Sequence, residues 1–297
     1  MLFVTIARTE RELDSARLLA ESIRTFGGEM RSCPVWLFDF RPPDADDLPP
    51  EIGARVIPAR TPESTAGYEL AEKVHACAEA ERLAPSSVGS LVWIGPDNLV
   101  VNPPILYDLG DNHDVAVRPV HIKNVGLAVN EPPDEYWTRV YRTVGIEPPT
   151  FSVESYVDGQ LLMAYFNSHS YCVRPSKGLF RRWAECFEAL VLDHEFQSSS
   201  CSDELHRIFL HQAVLSTLTV SMIDADHIRV LPPSYCYPYN LQSSIRPDRR
   251  AATTSELVSI AYENRSLNPE DIADISLHKP LKSWLSSRVG KGDPGRD

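Results

Sequence analysis

The sequence predicts an α/β fold in which helices flank a mostly parallel central sheet. Short apolar runs typical of buried strands alternate with helical stretches in residues 2–94, in the order strand, helix, strand, strand, helix, strand. The chain has 297 residues and is 43% hydrophobic, which is enough to bury the core of one large α/β domain or of two smaller ones.

The first third of the chain supplies most of the predicted sheet. Residues 2–7, LFVTIA, predict the first strand, and residues 14–26 predict a helix that ends at Gly27 and Gly28. Further strands are predicted at residues 34–40, 54–57 and 91–94, and a second helix at residues 68–83. Between them, the prolines of RPPDADDLPPEIG exclude a regular element.

The remaining elements are shorter and more varied. Strands are predicted at residues 99–101, 114–119, 228–231 and 257–262, with one or two more within residues 151–173. Helices are predicted at residues 133–144, 177–192 and 281–289, and another helix runs to residue 218 with Asp203 as its cap. Residues 232–240 form an aromatic, proline-rich loop, and the tail at residues 289–297 is expected to be disordered.

Composition excludes several classes of function. The formal net charge of −12 repels a phosphate backbone, so we expect no nucleic-acid partner. No apolar run is long enough to span a bilayer, and the N-terminal residues become charged too early for a signal peptide. Six cysteines without a CxxC pair are typical of buried thiols in a reducing compartment, so a cytoplasmic location is expected.

The segment SLVWIGPDNLVVNPP, residues 90–104, places one carboxylate in a sharp break between two apolar strands. In parallel sheets, ligands bind beyond the carboxyl ends of the strands, which is where Asp97 is expected. Mg²⁺ and Mn²⁺ prefer oxygen ligands and share their coordination shell with substrate phosphates, so few carboxylates suffice. The same Pro-Asp-Asn sequence is also typical of a simple turn.

Several segments together resemble the nucleotide-sugar-dependent glycosyltransferases of GT-A fold. VWIGPDNLVVNPP resembles the strand, Asp-x-Asp break and strand of that family. Other similar segments follow in the family's order: VTIARTERELDSARLLAESIRTFGG, YELAEKVHACAEAERL, YFNSHSYCVRPSKGLFRRW, LHQAVLSTL, LPPSYCYPYN and ISLHKPLKSW, the last of which resembles glycogenin-like members. The resemblance covers roughly residues 2–285.

The resemblance implies a single domain at residues 1–288, with a nucleotide-binding half at 1–120 and an acceptor half at 121–288. It implies transfer of a sugar from a nucleotide-diphospho-sugar to an unidentified acceptor. Transfer needs stabilisation of the leaving diphosphate and a base for a hydroxyl acceptor, so Asp97, Asp158 and His211 are the candidate catalytic residues. The resemblance further implies Mn²⁺ or Mg²⁺ held by Asp97 and His278. The implied donor-binding residues are Ala7, Arg8, Thr9, Lys73, Asp97, Asn98, Asn167, His169, Gln212 and Lys279.

The sequence departs from the family pattern at three positions. Gly95 replaces the first Asp of Asp-x-Asp, His169 replaces a Gly, and His211 replaces an Asp. Losing a carboxylate weakens the attraction for a cation. Three explanations follow: a metal held by Asp97, His278 and the substrate; transfer without a metal; or lost catalysis in a GT-A-like binding protein.

Two further interpretations concern loops. A nucleotidyltransferase would carry a glycine-rich loop after the first strand, and ARTERELD has no glycine there, so this alternative ranks low. The loop RPVHIKNVG, residues 118–126, concentrates Arg, His and Lys after a predicted strand. It suits recognition of a phosphate or an acid beside the cleft, or else forms a surface connection.

Overall fold

The computed structural model describes residues 1–42, 45 and 53–289. Its strands are β1 (Leu2–Ala7), β2 (Val35–Asp39), β3 (Arg55–Pro58), β4 (Leu91–Ile94), β5 (Asn98–Val100), β6 (Val115–Pro119), β7 (Ser152–Glu154), β8 (Leu161–Met163), β9 (Phe166–Val173), β10 (Ile228–Val230), β11 (Tyr237–Pro238) and β12 (Ser259–Ala261). Its α-helices are α1 (Glu10–Phe26), α2 (Ala71–Leu83), α3 (Glu135–Val144), α4 (Leu179–Val191), α5 (His194–Ser198), α6 (Glu204–Met222) and α7 (Lys279–Ser286).

The central sheet has seven strands in the order β10-β6-β9-β4-β1-β2-β3. β1 pairs in parallel with β2 and β4, β2 with β3, and β10 with β6. β9 is antiparallel to both of its neighbours, β4 and β6. The predicted α/β fold with a mostly parallel sheet is therefore confirmed.

Successive side chains of a strand point to opposite sides of the sheet, and helices pack against both sides. Val4 and Ile6 of β1 pack into the main core, which includes buried residues of α2, α4 and α6. Phe3 lies on the other face, in a cluster with Leu19 and Ile23 of α1. Within the described ranges, no helix combines the length and apolar character needed to cross a membrane.

Local signals set several of the helix ends. α1 begins at Glu10, four residues before the predicted start, because the Thr9 side chain accepts a hydrogen bond from the Glu12 amide and caps the first turn. α2 begins at Ala71 because Leu70 has a left-handed backbone, with φ of 62°, which a helix cannot contain. The predicted cap Asp203 accepts from the His206 amide and is confirmed.

Other elements differ from the prediction. Residues 151–173 contain three strands, of which β7 and β8 form a two-stranded sheet, and β8 also bridges to Ala128. The short helix α5 was not predicted, and neither was β11, which lies within the predicted loop at residues 232–240. Of the predicted disordered tail at residues 289–297, Val289 is described and is buried, and residues 290–297 lie outside the described residues. The division of the chain at residue 120 stays a prediction.

Two connections bring distant residues to the carboxyl edge of β4. β9 starts where β4 ends, with Ile94 opposite Ser170 and the Gly95 amide donating to the His169 carbonyl at 2.8 Å. A small sheet in the order β11-β12-β5 follows the break. β12 is antiparallel to β5, and the amide of Tyr262 donates to the Asp97 carbonyl at 3.0 Å. Glu263 therefore emerges next to Asp97.

Candidate active site

A cavity of about 610 Å³, called here the first cavity, opens at the carboxyl ends of β1 and β4. This is the edge at which parallel α/β sheets bind ligands. Its polar lining comes from the ends of β1 and β4, the start of β9, α2, α6 and the residues after β12. The predicted site residues among its lining are Arg8, Thr9, Lys73, Asp97, His169, His211 and Gln212.

Asp97, His169 and Glu263 form one cluster at this edge. The Nδ1 atom of His169 lies 3.9 Å from Asp97 Oδ2, and its Nε2 atom lies 3.5 Å from Glu263 Oε1. One ligand atom from each residue lies within 4.8 Å of the other two, and all three side chains are partly exposed to the cavity. Two carboxylates and an imidazole form a donor set that suits a divalent cation of the Mn²⁺ type.

The cluster is electrostatically coupled. Burial alone would raise the pKa of Asp97, but the nearby imidazole of His169, together with Lys73, lowers that pKa below its usual value. Burial alone would lower the pKa of His169, but Asp97 and Glu263 raise it above its usual value. Opposite charges within a few ångströms favour the charged forms of both groups. The Asp97 carboxylate therefore carries negative charge toward the cavity.

Glu263 is the metal-ligand candidate that sequence reasoning missed. Its backbone has a left-handed φ of 47°, which is strained for a residue with a side chain and is typical of functional positions. A signal was present, because Glu263 directly follows the predicted strand at residues 257–262, as Asp97 follows the strand at 91–94. Only the pairing of β12 with β5 brings the two carboxylates together.

Gly95 has a steric role in the break. A Cβ atom at this position would lie 2.8 Å from Asp97 Oδ1 and 3.2 Å from Asn98 Nδ2. Asn98 is fully buried, and its Nδ2 donates to the Gly95 carbonyl and to Asp97 Oδ1, both at 3.2 Å. The absence of a side chain at Gly95 thus lets Asn98 and Asp97 pack closely. The hydrogen bond from Asn98 orients the Asp97 carboxylate.

Lys73 also lines the first cavity and is buried. Its Nζ atom lies 3.3 Å from His211 Nε2 and 5.5 Å from the centre of the Trp93 ring. Burial lowers its pKa from 10.5 to about 7, with Asp97 acting weakly in the other direction. Trp93 is itself held by a hydrogen bond from its Nε1 to the Ser168 carbonyl at 2.9 Å. The lysine is therefore poised to gain a proton when an anion arrives.

His211 belongs to a buried polar network. Its Nδ1 lies 2.7 Å from the carbonyl oxygen of Ile208 and must donate to it, so Nε2 accepts, from Ser168 Oγ at 2.9 Å or from Lys73. Burial, and then the charge of Lys73, lower its pKa well below the usual value, so the ring is neutral. Gln212 Oε1 accepts from the Ser168 amide at 3.2 Å. Ser168 links these groups and was not predicted.

The first residues after β1 combine structural and lining roles. Ala7 is fully buried in the strand and does not line the first cavity. Arg8 lines the cavity and pairs with Glu12 through its guanidinium and its amide. Thr9 caps α1, as described above. Asn167 is buried, and its Oδ1 accepts from the His169 amide at 2.7 Å, which orients the backbone that carries the imidazole.

Six predicted site residues do not line the first cavity: Ala7, Asn98 and Asn167 are buried next to residues that do, and three others lie elsewhere. His278 is the residue before α7, where its Nδ1 lies 2.8 Å from Thr254 Oγ1 and its ring packs edge-on against Phe26. Lys279 is exposed at the first position of the same helix. Asp158 accepts from the Lys123 amide at 2.9 Å and from the Ser155 hydroxyl, so it stabilises a turn. His278, Lys279 and Asp158 therefore all lie outside the lining of the first cavity.

Comparisons with known proteins agree with this description. A family model described as a Rhodobacterales glycosyltransferase domain matches residues 3–222. The chain is similar to the crystal structure of the galactosyltransferase LgtC in complex with donor and acceptor sugar analogues. That likeness has a TM-score of 0.50 and 12% sequence identity, and it covers 98% of this chain and 95% of that chain. Among curated proteins, none matches. The structural likeness shows a GT-A glycosyltransferase fold.

Proposed function

The chain belongs to the family of Rhodobacterales glycosyltransferase domains, and we propose that sugar passes from a nucleotide-diphospho-sugar to an acceptor in its first cavity. The observation that carries this proposal is that the Asp97, His169 and Glu263 cluster and the buried Lys73 line one cavity. A nucleoside diphosphate is a leaving group whose negative charge grows during transfer, so the site must supply positive charge.

We infer that Asp97, His169 and Glu263 hold a divalent cation. Their two carboxylates and imidazole fit Mn²⁺ better than Mg²⁺, because Mg²⁺ rarely accepts nitrogen ligands. A bound cation of this kind supplies Lewis acidity that stabilises charge on phosphate oxygens. Glu263 restores the second carboxylate that Gly95 removes from the Asp-x-Asp pattern. Asn98 and Asn167 hold Asp97 and His169 in place, as positioning residues.

Lys73 supplies positive charge from the protein itself. Its ammonium group is buried on the cavity wall, where an electrostatic interaction is stronger than in water. With a pKa of about 7, Lys73 is partly neutral at physiological pH and gains a proton when a diphosphate approaches. His211 acts as a positioning residue, because its Nε2 faces Lys73 and Ser168.

Calorimetry with UDP, GDP and their sugars, with and without Mn²⁺, tests the proposal. We expect one nucleotide to bind, with an affinity that Mn²⁺ increases at least tenfold. Asp97→Asn and Glu263→Gln should each remove most of this increase, and Asp111→Asn, on an exposed turn, is the matched control. Failure of every nucleotide to bind under both conditions would contradict the proposal.

A second measurement separates catalysis from binding alone. Mass spectrometry of each nucleotide sugar incubated with the protein detects hydrolysis or transfer. We expect a slow release of nucleoside diphosphate that Asp97→Ala abolishes. Binding without any turnover across a broad acceptor panel would favour a non-enzymatic GT-A-like binding protein instead.

A further inference from the structure

A second cavity, of about 660 Å³, opens at the carboxyl ends of β6 and β10. β6 and β10 are parallel to each other, and β6 and β4 are both antiparallel to β9. The two cavities therefore lie along the same edge of the sheet. The walls of the second cavity are largely apolar, and its residues include Arg118, Pro119, Phe151, Tyr156, Pro232 and Arg249.

Arg118 is the unusual residue of this cavity. Its side chain is only 3% exposed, its Nε donates to the Tyr235 carbonyl at 3.2 Å, and its guanidinium carbon lies 4.9 Å from the centre of the Tyr156 ring. Among the described residues, its Nη2 atom has no hydrogen-bond partner and no carboxylate lies within ion-pair distance. Burial lowers the pKa of Arg118 to about 10, so the group stays charged at neutral pH.

Glu154, an acidic residue that lines the second cavity, already has an ion-pair partner. Glu154 pairs with Arg249 at 2.5 Å, and Arg249 also donates to the Tyr156 carbonyl at 3.4 Å. A buried charge without a partner is costly, and a guanidinium group is well suited to bind carboxylates and phosphates. The second cavity thus holds a desolvated positive charge that a bound anion would neutralise.

The second cavity is adjacent to the first. His121, three residues after Arg118, stacks against His169 of the metal-candidate cluster, with ring centres 6.2 Å apart. Three residues of chain span at most about 10 Å. His121 is itself buried and contacts the Cys236 carbonyl through Nε2 at 2.9 Å. The metal-candidate cluster is therefore linked to Arg118 through His121 and three residues of chain.

We propose that the second cavity binds an acidic acceptor, whose carboxylate or phosphate group pairs with Arg118 and whose apolar face packs on Tyr156 and the prolines. Naming this ligand as the acceptor rests on the proposed function, whereas the anion site itself does not. The sequence RPVHIKNVG, with its cluster of basic residues, is the local signal of this site.

Calorimetry on the full chain with glucuronate, glucose 6-phosphate, inorganic phosphate and neutral glucose tests the site. We expect at least one anion to bind and glucose not to bind, and the carboxylate and phosphate probes distinguish the two chemistries. Arg118→Met, which keeps a stem over Tyr156, should weaken anion binding at least tenfold. Arg229→Met on β10 removes the same charge away from the cavity and should leave the affinity within twofold.

Stability and nucleotide binding make the result decisive. A buried unpaired charge predicts that Arg118→Met unfolds at the same or a higher urea concentration than the wild type, whereas a merely structural arginine predicts a lower one. If Arg118→Met fails to fold, Arg118→Lys should weaken anion binding several-fold. Absence of anion binding to the wild type, or unchanged affinity in these variants, would overturn the proposal. Nucleotide binding should be unchanged in the Arg118 variants. A wild-type protein that binds anions but no nucleotide would refute the proposed function and leave the anion site intact.

Discussion

Replacing Lys73 by methionine tests whether a buried ammonium group lowers stability in exchange for donor binding. The lysine is 6% exposed, and its contacts are His211 Nε2 at 3.3 Å and the Trp93 face at 5.5 Å. In the described part of the chain, no carboxylate lies within ion-pair distance of its Nζ atom. Its pKa of about 7 is set mainly by burial.

The magnitude follows from the pKa of Lys73. The gap between 10.5 in the unfolded chain and about 7 in the folded protein corresponds to roughly 5 kcal/mol, at 1.36 kcal/mol per pKa unit. Between these values the unfolded chain binds more protons, so stability rises with pH. Methionine keeps the packing of the stem and loses contacts worth about 1–2 kcal/mol. We therefore expect Lys73→Met to be about 3 kcal/mol more stable at pH 7.

Urea unfolding followed by tryptophan fluorescence, in metal-free buffer between pH 7 and pH 10, measures this difference. The advantage of Lys73→Met should shrink steadily over this range, by roughly 1 kcal/mol per pH unit in its steepest part. Lys282→Met, at an exposed position of α7, should change stability by less than about 0.5 kcal/mol at every pH. A variant that is less stable at pH 7, or a difference that does not depend on pH, would refute the reasoning.

Three further predictions concern the metal-candidate cluster and the sheet. Gly95→Ala should weaken Mn²⁺ binding several-fold in calorimetry, because its Cβ would lie 2.8 Å from Asp97 Oδ1 and force the carboxylate to rotate. His278→Ala should leave Mn²⁺ affinity within twofold while Glu263→Gln lowers it at least tenfold; the reverse order would restore His278 as a ligand. Asp114→Asn should cost about 2 kcal/mol in urea unfolding at pH 7, because ion pairs lower the pKa of Asp114 from 3.8 to about 2 despite its burial. That cost should fade as the pH falls from about 4 toward 2, and its persistence at pH 2 would contradict the ion-pair explanation.

Strands and helices were predictable where their signals are local. Apolar runs and cap residues indicate β1, β4 and α6 because burial and capping involve neighbours in sequence. β11 lacks such a signal, since two residues form a strand only when β12 lies beside them. α5 is a single short turn of helix capped by Asp193, too short for a periodic pattern.

The candidate site was predictable in part. Asp97, Lys73, His169, His211 and Gln212 were expected together, and the structure brings all five to the first cavity. Glu263 and Ser168 were missed because their contacts depend on partners far along the chain. Asp158 was expected as a base and His278 as a metal ligand, and their side chains instead make hydrogen bonds in a turn and before a helix.

The amino-acid sequence by itself determined the α/β order, the break after β4 and the presence of one carboxylate at the sheet edge. Each of these depends on apolar periodicity or on Gly-Pro chemistry, which act over a few residues. Only the tertiary structure decided that Glu263 joins Asp97 and that Arg118 is buried with no counter-charge among the described residues. Those facts arise from the pairing of β12 with β5 and from the packing around β6 and β10, where contacts between distant segments outweigh local preference.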